Sequence, residues 1–299
     1  MTRVLFALWY WPVFFVLTVG AGFICLLVSL FSRTASRFIT SQVWAAIVFW
    51  PAAIKVTIKG QENLPQTGGY IIFANHRSLL DIPTVAVAVN KPISWVAKAA
   101  LGRIPVFGWT LKRSHMLVDR GGGADAAKKM VAEAQERLKN GEILAIFPEG
   151  TRNKTATPVL AFKKGAFILA KRATAPLIPI AIHHSSELWP AGGWLPKTGT
   201  LTAAIGQPLT PVANESLGQL AVRAQKILEE LYLTPLTGLE SLDGLDGLEG
   251  PPQNAPNGPS SLGPADHRLA NPTADRPNDQ PADQPDSLPD DPIDPQPNH

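Results

Sequence analysis

Residues 70–81 of the chain read YIIFANHRSLLD. The apolar run Tyr70–Ala74 is followed at once by a polar group that contains a histidine and an aspartate. A short apolar run bounded by polar residues is typical of a buried strand. The apolar stretch Asp81–Val89 comes next and has the length of a short helix. The segment therefore predicts a strand, a polar loop and a helix in succession.

The same alternation continues along the chain. Further strands are predicted at Ile93–Ala97, His115–Val118, Ile143–Phe147, Leu177–Ile182 and Leu201–Ile205, and further helices at Ala124–Asn140, Phe162–Ala173 and Ser216–Leu233. Alternation at these lengths predicts an α/β fold with a central, mostly parallel or mixed sheet flanked by helices. The Gly- and Pro-containing stretch around Trp189 and Trp194 is interpreted as an exposed loop. Sites in such folds lie where strands end and helices begin.

The N-terminal segment is strongly apolar. Val4–Phe31 contains no Asp, Glu, Lys, Arg or His over 28 residues, and about 20 helical residues span the hydrocarbon core of a bilayer. The run exceeds the apolar region of a signal peptide, so residues 1–54 are interpreted as a membrane anchor, with a removed signal peptide as the alternative. Pro12 and a second apolar patch, Val43–Trp50, leave open a single span or a helical hairpin in one leaflet.

Positive charges around the anchor predict its orientation. Arg33 and Arg37 follow the apolar run, whereas Arg3 precedes it. Cytoplasmic flanks carry the excess of Lys and Arg, so we expect the downstream domain in the cytoplasm. With no organelle targeting signal in the sequence, this favours a cell inner membrane with the active site facing the cytoplasm.

Charge divides the rest of the chain. Residues 236–299 hold 12 Asp and Glu and 2 Arg, which leaves 12 acidic and 25 basic residues in the preceding part. Residues 235–299 are rich in Pro and Asp and too poor in apolar side chains to offset ordering entropy, so a disordered tail is predicted there. Residues 55–234 are then the folded domain. Its basic character suggests an anionic partner: a phospholipid surface, a phosphate-bearing substrate or nucleic acid.

The loop after Ala74 carries the first candidate site. His76 stands at the end of a strand, and Asp81 follows five residues later at the start of a helix. A carboxylate that accepts a hydrogen bond from one imidazole nitrogen fixes the tautomer, and the other nitrogen can then take a proton from a hydroxyl. The alternative is that His76 caps a strand and Asp81 caps a helix.

The second candidate site is residues 147–152, which read FPEGTR and again follow a predicted strand. Gly150 permits a turn that other residues resist. Arg152 offers a guanidinium fork suited to a phosphate, Thr151 could add a donor, and Glu149 could brace the loop. An ordinary turn with a surface ion pair is the alternative.

These two segments together resemble the 1-acyl-glycerol-3-phosphate acyltransferase family of phospholipid synthesis. Other segments are also similar to the family, in the same order along the chain: Pro105–Trp109 leading to Val118–Arg120, Phe162–Ala166, and Leu177–Ile180. The resemblance covers roughly residues 55–207. It implies an α/β acyltransferase domain tethered by an N-terminal helical element. The acidic tail has no counterpart in the family pattern.

The resemblance also implies roles for individual residues. His76 would be the general base that activates the acceptor hydroxyl, and Asp81 would orient it. The acceptor would be held by the substrate-binding residues Arg152, Glu149, Gly150, Thr151, Arg120 and Lys98. The fatty acyl group would pass from acyl-CoA or acyl carrier protein to the sn-2 hydroxyl of lysophosphatidic acid, forming phosphatidic acid. This chemistry requires no metal and no cofactor, and the one cysteine, Cys25, lies in the anchor.

Other functions stay open at this point. Glycerol 3-phosphate or another lysolipid could be the acceptor, and the acyl donor and its chain length are not determined. A non-catalytic membrane protein that binds anionic lipids is a further possibility, which an intact His76 and Asp81 disfavour. Nucleic-acid binding is disfavoured because the sequence has no recognisable binding module and carries a membrane anchor.

Overall fold

The computed structural model describes residues 3–105, 107–118 and 123–235. These ranges contain eight α-helices: α1 (Arg3–Phe31), α2 (Arg33–Phe49), α3 (Asp81–Val89), α4 (Phe107–Ser114), α5 (Gly123–Lys139), α6 (Gly165–Ala173), α7 (Ser185–Leu188) and α8 (Leu217–Leu233). The predicted tail, residues 235–299, lies outside the described residues from residue 236 onward.

The strands of the described ranges form one sheet. They are β1 (Ile54–Lys59), β2 (Ile71–Ala74), β3 (Ile93–Lys98), β4 (Met116–Val118), β5 (Ile143–Ile146), β6 (Leu177–His183) and β7 (Gly199–Ile205). Their order across the sheet is β1-β7-β6-β2-β5-β3-β4. Neighbouring strands are parallel, apart from the antiparallel pair β6 and β7. The predicted α/β fold with a mixed sheet is confirmed.

Helices cover both faces of the sheet because successive strand residues point to opposite sides. On one face, Ile71 and Phe73 of β2 pack in a core with α5, α6 and α8. On the other face, Ile72 and Ala74 pack in a second core with α3. A third core joins α1 and α2 to the outer side of α3.

One predicted helix begins later than its sequence pattern indicates. The prediction places it at Phe162–Ala173, whereas α6 begins at Gly165. The Phe162 amide donates to the Gln225 side chain, and the Lys163 amide donates to the carbonyl of Pro148. These donors are used in tertiary contacts, so the chain does not turn into a helix until after them.

The N-terminal segment forms two consecutive helices. α1 has 29 residues, about 43 Å at 1.5 Å per residue, and it is the one helix in the described part of the chain that is long and apolar enough to cross a membrane. In the most apolar 18-residue stretch of α1, only 11% of the residues are buried against the rest of the protein. α2 turns back against α1, with the Ser36 hydroxyl donating to the carbonyl of Cys25 at 3.0 Å. The N-terminal segment is therefore a pair of packed helices.

The two N-terminal helices also pack on the rest of the fold, which changes two expectations. Trp189 is not in an exposed loop: it is 3% exposed, and its ring packs edge-on against Tyr10 and Trp11 of α1. Arg37 is not a free flanking charge, because it is 4% exposed and pairs with Glu142 at 2.9 Å. Trp194 is exposed as expected.

Candidate active site

The candidate site lies along one edge of the sheet. The strands β2, β5, β3 and β4 are consecutive neighbours and are parallel, so their carboxyl ends share that edge. His76 follows β2, the segment 147–152 follows β5, and Lys98 ends β3. The topology therefore brings together candidate residues that are far apart in sequence. Arg120, which follows β4, lies outside the described residues.

His76 and Asp81 form the predicted pair. The Nδ1 atom of His76 lies 2.9 Å from Oδ2 of Asp81, whose side chain is fully buried. The same oxygen accepts from the backbone amides of Arg77 at 2.6 Å and Ser78 at 2.7 Å. Asp81 is also the first residue of α3, where the helix dipole favours a negative charge. These contacts hold a carboxylate against Nδ1 and leave Nε2 as the nitrogen for chemistry.

Aromatic packing and backbone contacts fix the imidazole further. The His76 ring stacks on Phe147 with centroids 4.1 Å apart and an angle of 15° between the planes. Asn75 is fully buried and exchanges two hydrogen bonds with the backbone of Ile182 in β6. The Arg77 guanidinium donates to the carbonyls of Thr155, Thr157 and Pro158. The loop after β2 is therefore tied to its neighbours on both sides.

Glu149 joins the two candidate segments. Its Oε1 accepts from the His76 amide at 2.6 Å, and its Oε2 accepts from the Leu160 amide at 3.0 Å. The side chain is buried, and this burial raises the pKa of the carboxyl although the two amide donors oppose the rise. Both oxygens are bonded to backbone amides, so Glu149 braces the loop that carries His76.

The turn after β5 presents the predicted arginine. Gly150 has a positive φ of 70° and its amide donates to the carbonyl of Phe147 at 3.0 Å, which closes the turn. Three residues further on, the amide of Asn153 donates to the carbonyl of His76 at 2.6 Å. Arg152 is partly exposed and has no hydrogen bond or ion pair to any residue of the described ranges. Thr151 is exposed beside it.

A cavity of about 720 Å³ opens beside His76. Its lining is mainly apolar and is formed by α2, α3, β3, β4, α5 and the two residues Phe147 and Pro148. Lys98 and Gly150 line it as well, whereas Thr151, Arg152 and Glu149 lie outside the lining. An apolar space that reaches a proton acceptor suits a substrate with a long hydrocarbon chain.

Sequence reasoning missed two residues of this cavity. Lys163 lines it next to Pro148 and Gly150 and adds a second lysine to Lys98. His115 was predicted only as the start of a strand, but it is buried and lines the cavity before β4. The family-like position of Lys163, just after the second candidate segment, was the available signal for it.

Within the described ranges, no group of three or more His, Cys, Asp or Glu side chains is placed to hold a metal ion.

Comparisons with known proteins place the chain among acyltransferases. Residues 55–183 match the family model described as Acyltransferase. The chain is 31% identical over 205 residues to the 1-acyl-sn-glycerol-3-phosphate acyltransferase of Pseudomonas aeruginosa, covering 66% of this chain and 78% of the relative. It is 34% identical to the enzyme of that name from Bacillus subtilis, covering 52% of this chain and 73% of the relative.

A solved structure has the same fold. The crystal structure of the 1-acyl-sn-glycerophosphate (LPA) acyltransferase, PlsC, from Thermotoga maritima aligns with a TM-score of 0.63 and 26% identity, covering 81% of this chain and 97% of the other. The matched family region includes both β2 and β5 and the loops that follow them. The chain is an acyltransferase and belongs to the 1-acyl-sn-glycerol-3-phosphate acyltransferase family.

Proposed function

We propose that this protein transfers a fatty acyl group from a thioester, acyl-CoA or acyl carrier protein, to the sn-2 hydroxyl of lysophosphatidic acid and so forms phosphatidic acid. The observation that carries the proposal is the His76–Asp81 pair at the wall of a mainly apolar cavity. The names of the relatives support the choice of acceptor, since they act on 1-acyl-sn-glycerol 3-phosphate.

The geometry supports general-base catalysis without an acyl-enzyme. Nδ1 of His76 is held by Asp81, so Nε2 accepts the proton of the acceptor hydroxyl as its oxygen attacks the thioester carbonyl. The carboxylate of Asp81 stabilises the imidazolium that forms. The tetrahedral intermediate then collapses by breaking the carbon–sulfur bond, and His76 returns the proton to the departing thiolate.

Three cations are assigned to the acceptor phosphate. Arg152 is partly exposed beside the His76 loop, and a guanidinium binds phosphate through two parallel hydrogen bonds. Lys98 and Lys163 line the cavity beside His76 and supply further positive charge. Arg120, which the family resemblance assigns to this role, remains a prediction.

The anchor region completes the proposal. We assign residues 1–54 to a membrane anchor, residues 55–234 to the catalytic domain and residues 235–299 to a tail. The exposed apolar surface of α1, with Trp9 and Trp11 near one end, fits a lipid environment and an aromatic belt. The expected location is a cell inner membrane with the site on the cytoplasmic side.

The test is an acceptor panel. Membranes that contain the protein are given a labelled palmitoyl thioester and, in turn, lysophosphatidic acid, glycerol 3-phosphate, a lysophospholipid with a headgroup, or monoacylglycerol. We expect the highest kcat/KM with lysophosphatidic acid, measured as labelled phosphatidic acid above membranes that lack the protein. A higher kcat/KM with another acceptor would replace the proposed substrate, and no product with any acceptor would overturn the proposed function.

A further inference from the structure

Three polar side chains in the lining of the cavity have atoms without a partner. They are Ser41 and Trp44 of α2 and His115, which precedes β4. The Ser41 hydroxyl, the Trp44 Nε1 and the His115 Nε2 are all buried and have no hydrogen-bond partner among the described residues. Ser41 is 3% exposed and His115 is 2% exposed. Buried polar atoms are normally paired with protein, water or ligand, so these atoms indicate a polar subsite in a mainly apolar cavity.

The fold places α2 against the segment that carries His115. Ser41 and Trp44 are three residues apart on α2, so they share a face of that helix. The Ser114 hydroxyl donates to the Ser36 hydroxyl of α2 at 3.1 Å, which fixes α2 against the residue next to His115. We call Ser41, Trp44 and His115 the polar patch.

The polar patch is rich in donors. The Nδ1 of His115 accepts from the amide of Trp95 at 3.3 Å, so the proton of the neutral ring is on Nε2. Burial lowers the pKa of His115 to about 3, and the nearby Arg37 and Arg137 add to this effect, so the ring stays neutral. The Trp44 indole can only donate, and the Ser41 hydroxyl can donate or accept. The complementary group is therefore an oxygen that accepts hydrogen bonds.

The sheet register gives the depth of the polar patch. Trp95 of β3 pairs with Ala145 of β5, and Ala145 pairs with Ile72 of β2. His115 therefore lies near the level of Ile72, which is two residues, or about 7 Å, before the carboxyl end of β2 at Ala74, whereas His76 lies beyond that end. A fatty acyl chain whose carbonyl carbon lies beside His76 therefore reaches the level of His115 with carbons that are remote from that carbonyl carbon.

We propose that the polar patch recognises an oxygen on a substrate acyl chain, a hydroxyl or oxo group remote from the carboxyl end, so that the enzyme accepts oxygen-substituted chains. This inference rests on the proposed function, because it assigns the cavity to an acyl chain. The oxygenated chain belongs either to the thioester donor or to the lysolipid acceptor. Bound water without such a preference is the competing occupant.

The experiment compares matched substrates. One set of assays uses acyl thioesters of equal length, either unsubstituted or with one hydroxyl at successive positions, and a plain lysophosphatidic acid. The second set places the hydroxyl on the chain of the lysophosphatidic acid and keeps the thioester plain. In each set the measured quantity is the ratio of kcat/KM for the hydroxylated substrate to that for the plain substrate.

The variants Ser41→Ala and Trp44→Phe each remove one polar atom and keep most of the side-chain shape. In the wild type we expect the ratio to peak at a mid-chain or distal hydroxyl in one of the two sets. Each variant should lower that peak by about 3- to 10-fold, the value of one neutral hydrogen bond. Trp194→Phe is the matched control, because Trp194 is exposed and outside the cavity lining, and its ratio should equal that of the wild type.

A position-independent ratio, or a peak that both variants leave unchanged, would overturn the proposal and assign the polar patch to water. A second readout does not depend on turnover: displacement of a fluorescent fatty acid from the purified full-length protein by stearic acid or by its hydroxylated forms. If acyl transfer fails with every acceptor but hydroxylated acids still bind more tightly in a Trp44-dependent manner, the proposed function is wrong and the polar patch stands. Equal binding of plain and hydroxylated acids would overturn the proposed role of the polar patch as well.

Discussion

The loops that follow β2 and β5 lie side by side and are built differently. In the loop after β2, Asp81 is fully buried and one of its oxygens accepts three hydrogen bonds. In the loop after β5, Arg152 is partly exposed and has no bonding partner within the described ranges. A proton acceptor needs a fixed tautomer and position, whereas a phosphate ligand can be reached by a mobile side chain. The difference suggests that one loop serves chemistry and the other serves binding.

The sharpest test of this division is His76→Ala. Because His76 is the proposed base, we expect kcat to fall by about 10³-fold or more, with the protein still folded and membrane-bound. His184→Ala is the matched control, since the His184 ring is 44% exposed and contacts Glu187 and the neighbouring His183 ring, away from the cavity lining. Retention of more than a tenth of the wild-type kcat by His76→Ala would remove His76 from its role.

Asp81→Asn tests the second member of the pair. The amide oxygen can still accept from the Arg77 and Ser78 amides, but a neutral side chain does not stabilise the imidazolium. We expect kcat to fall by about 10²-fold with little change in KM for the acceptor. Asp125→Asn, at an exposed position in the first turn of α5, is the control. A change in KM alone would mean that Asp81 shapes binding and does not assist the base.

Arg152→Ala tests the binding half of the comparison. Loss of a charge-assisted hydrogen bond to phosphate weakens binding by about 1.5–3 kcal/mol, so KM for lysophosphatidic acid should rise by about 10- to 100-fold while kcat changes little. Monoacylglycerol, which lacks the phosphate, should show no such rise. Arg172→Ala, on the exposed end of α6, is the matched control. An equal loss of kcat with both acceptors would place Arg152 in the chemical step.

The sequence predicted the parts of this site that depend on local pattern. The strand Tyr70–Ala74 and the helix Asp81–Val89 were recognisable from apolar runs bounded by polar residues, and the structure places them within one residue of the prediction. The meeting of the two candidate segments follows from parallel β2 and β5, which the alternation of strands and helices already favours.

The sequence pattern could not predict the long-range contacts. β1 pairs with β7, whose partner residues lie far along the chain, and nothing local to Ile54–Lys59 identifies that partner. The burial of Trp189 depends on Tyr10 and Trp11 of α1, so a loop that looks exposed in sequence is covered by a distant helix. His115 likewise shows its unpaired nitrogen only once α2 and β3 are in place.

Glu149→Gln gives the smallest expected effect and shows how the two loops are joined. Glu149 bonds both the His76 and Leu160 amides. The amide NH₂ of glutamine leaves one of those buried donors unpaired, so the free energy of unfolding should fall by about 1–3 kcal/mol. Glu187→Gln, at an exposed carboxyl, is the control, and chemical denaturation of the full-length protein is the measurement.

The pH dependence of the stability difference between wild type and Glu149→Gln shows whether Glu149 braces the His76 loop or binds the substrate. The folded protein holds the pKa of Glu149 above its usual value, so its folded state binds the proton more tightly than the unfolded state does. The contribution of Glu149 to stability is then greatest below the unfolded pKa and declines as the pH rises through the folded pKa. The stability gap between wild type and Glu149→Gln should narrow over that interval, while KM for lysophosphatidic acid stays unchanged. A raised KM with no change in stability would instead make Glu149 a direct ligand of the acceptor and would remove its role as the brace of the loop that carries His76.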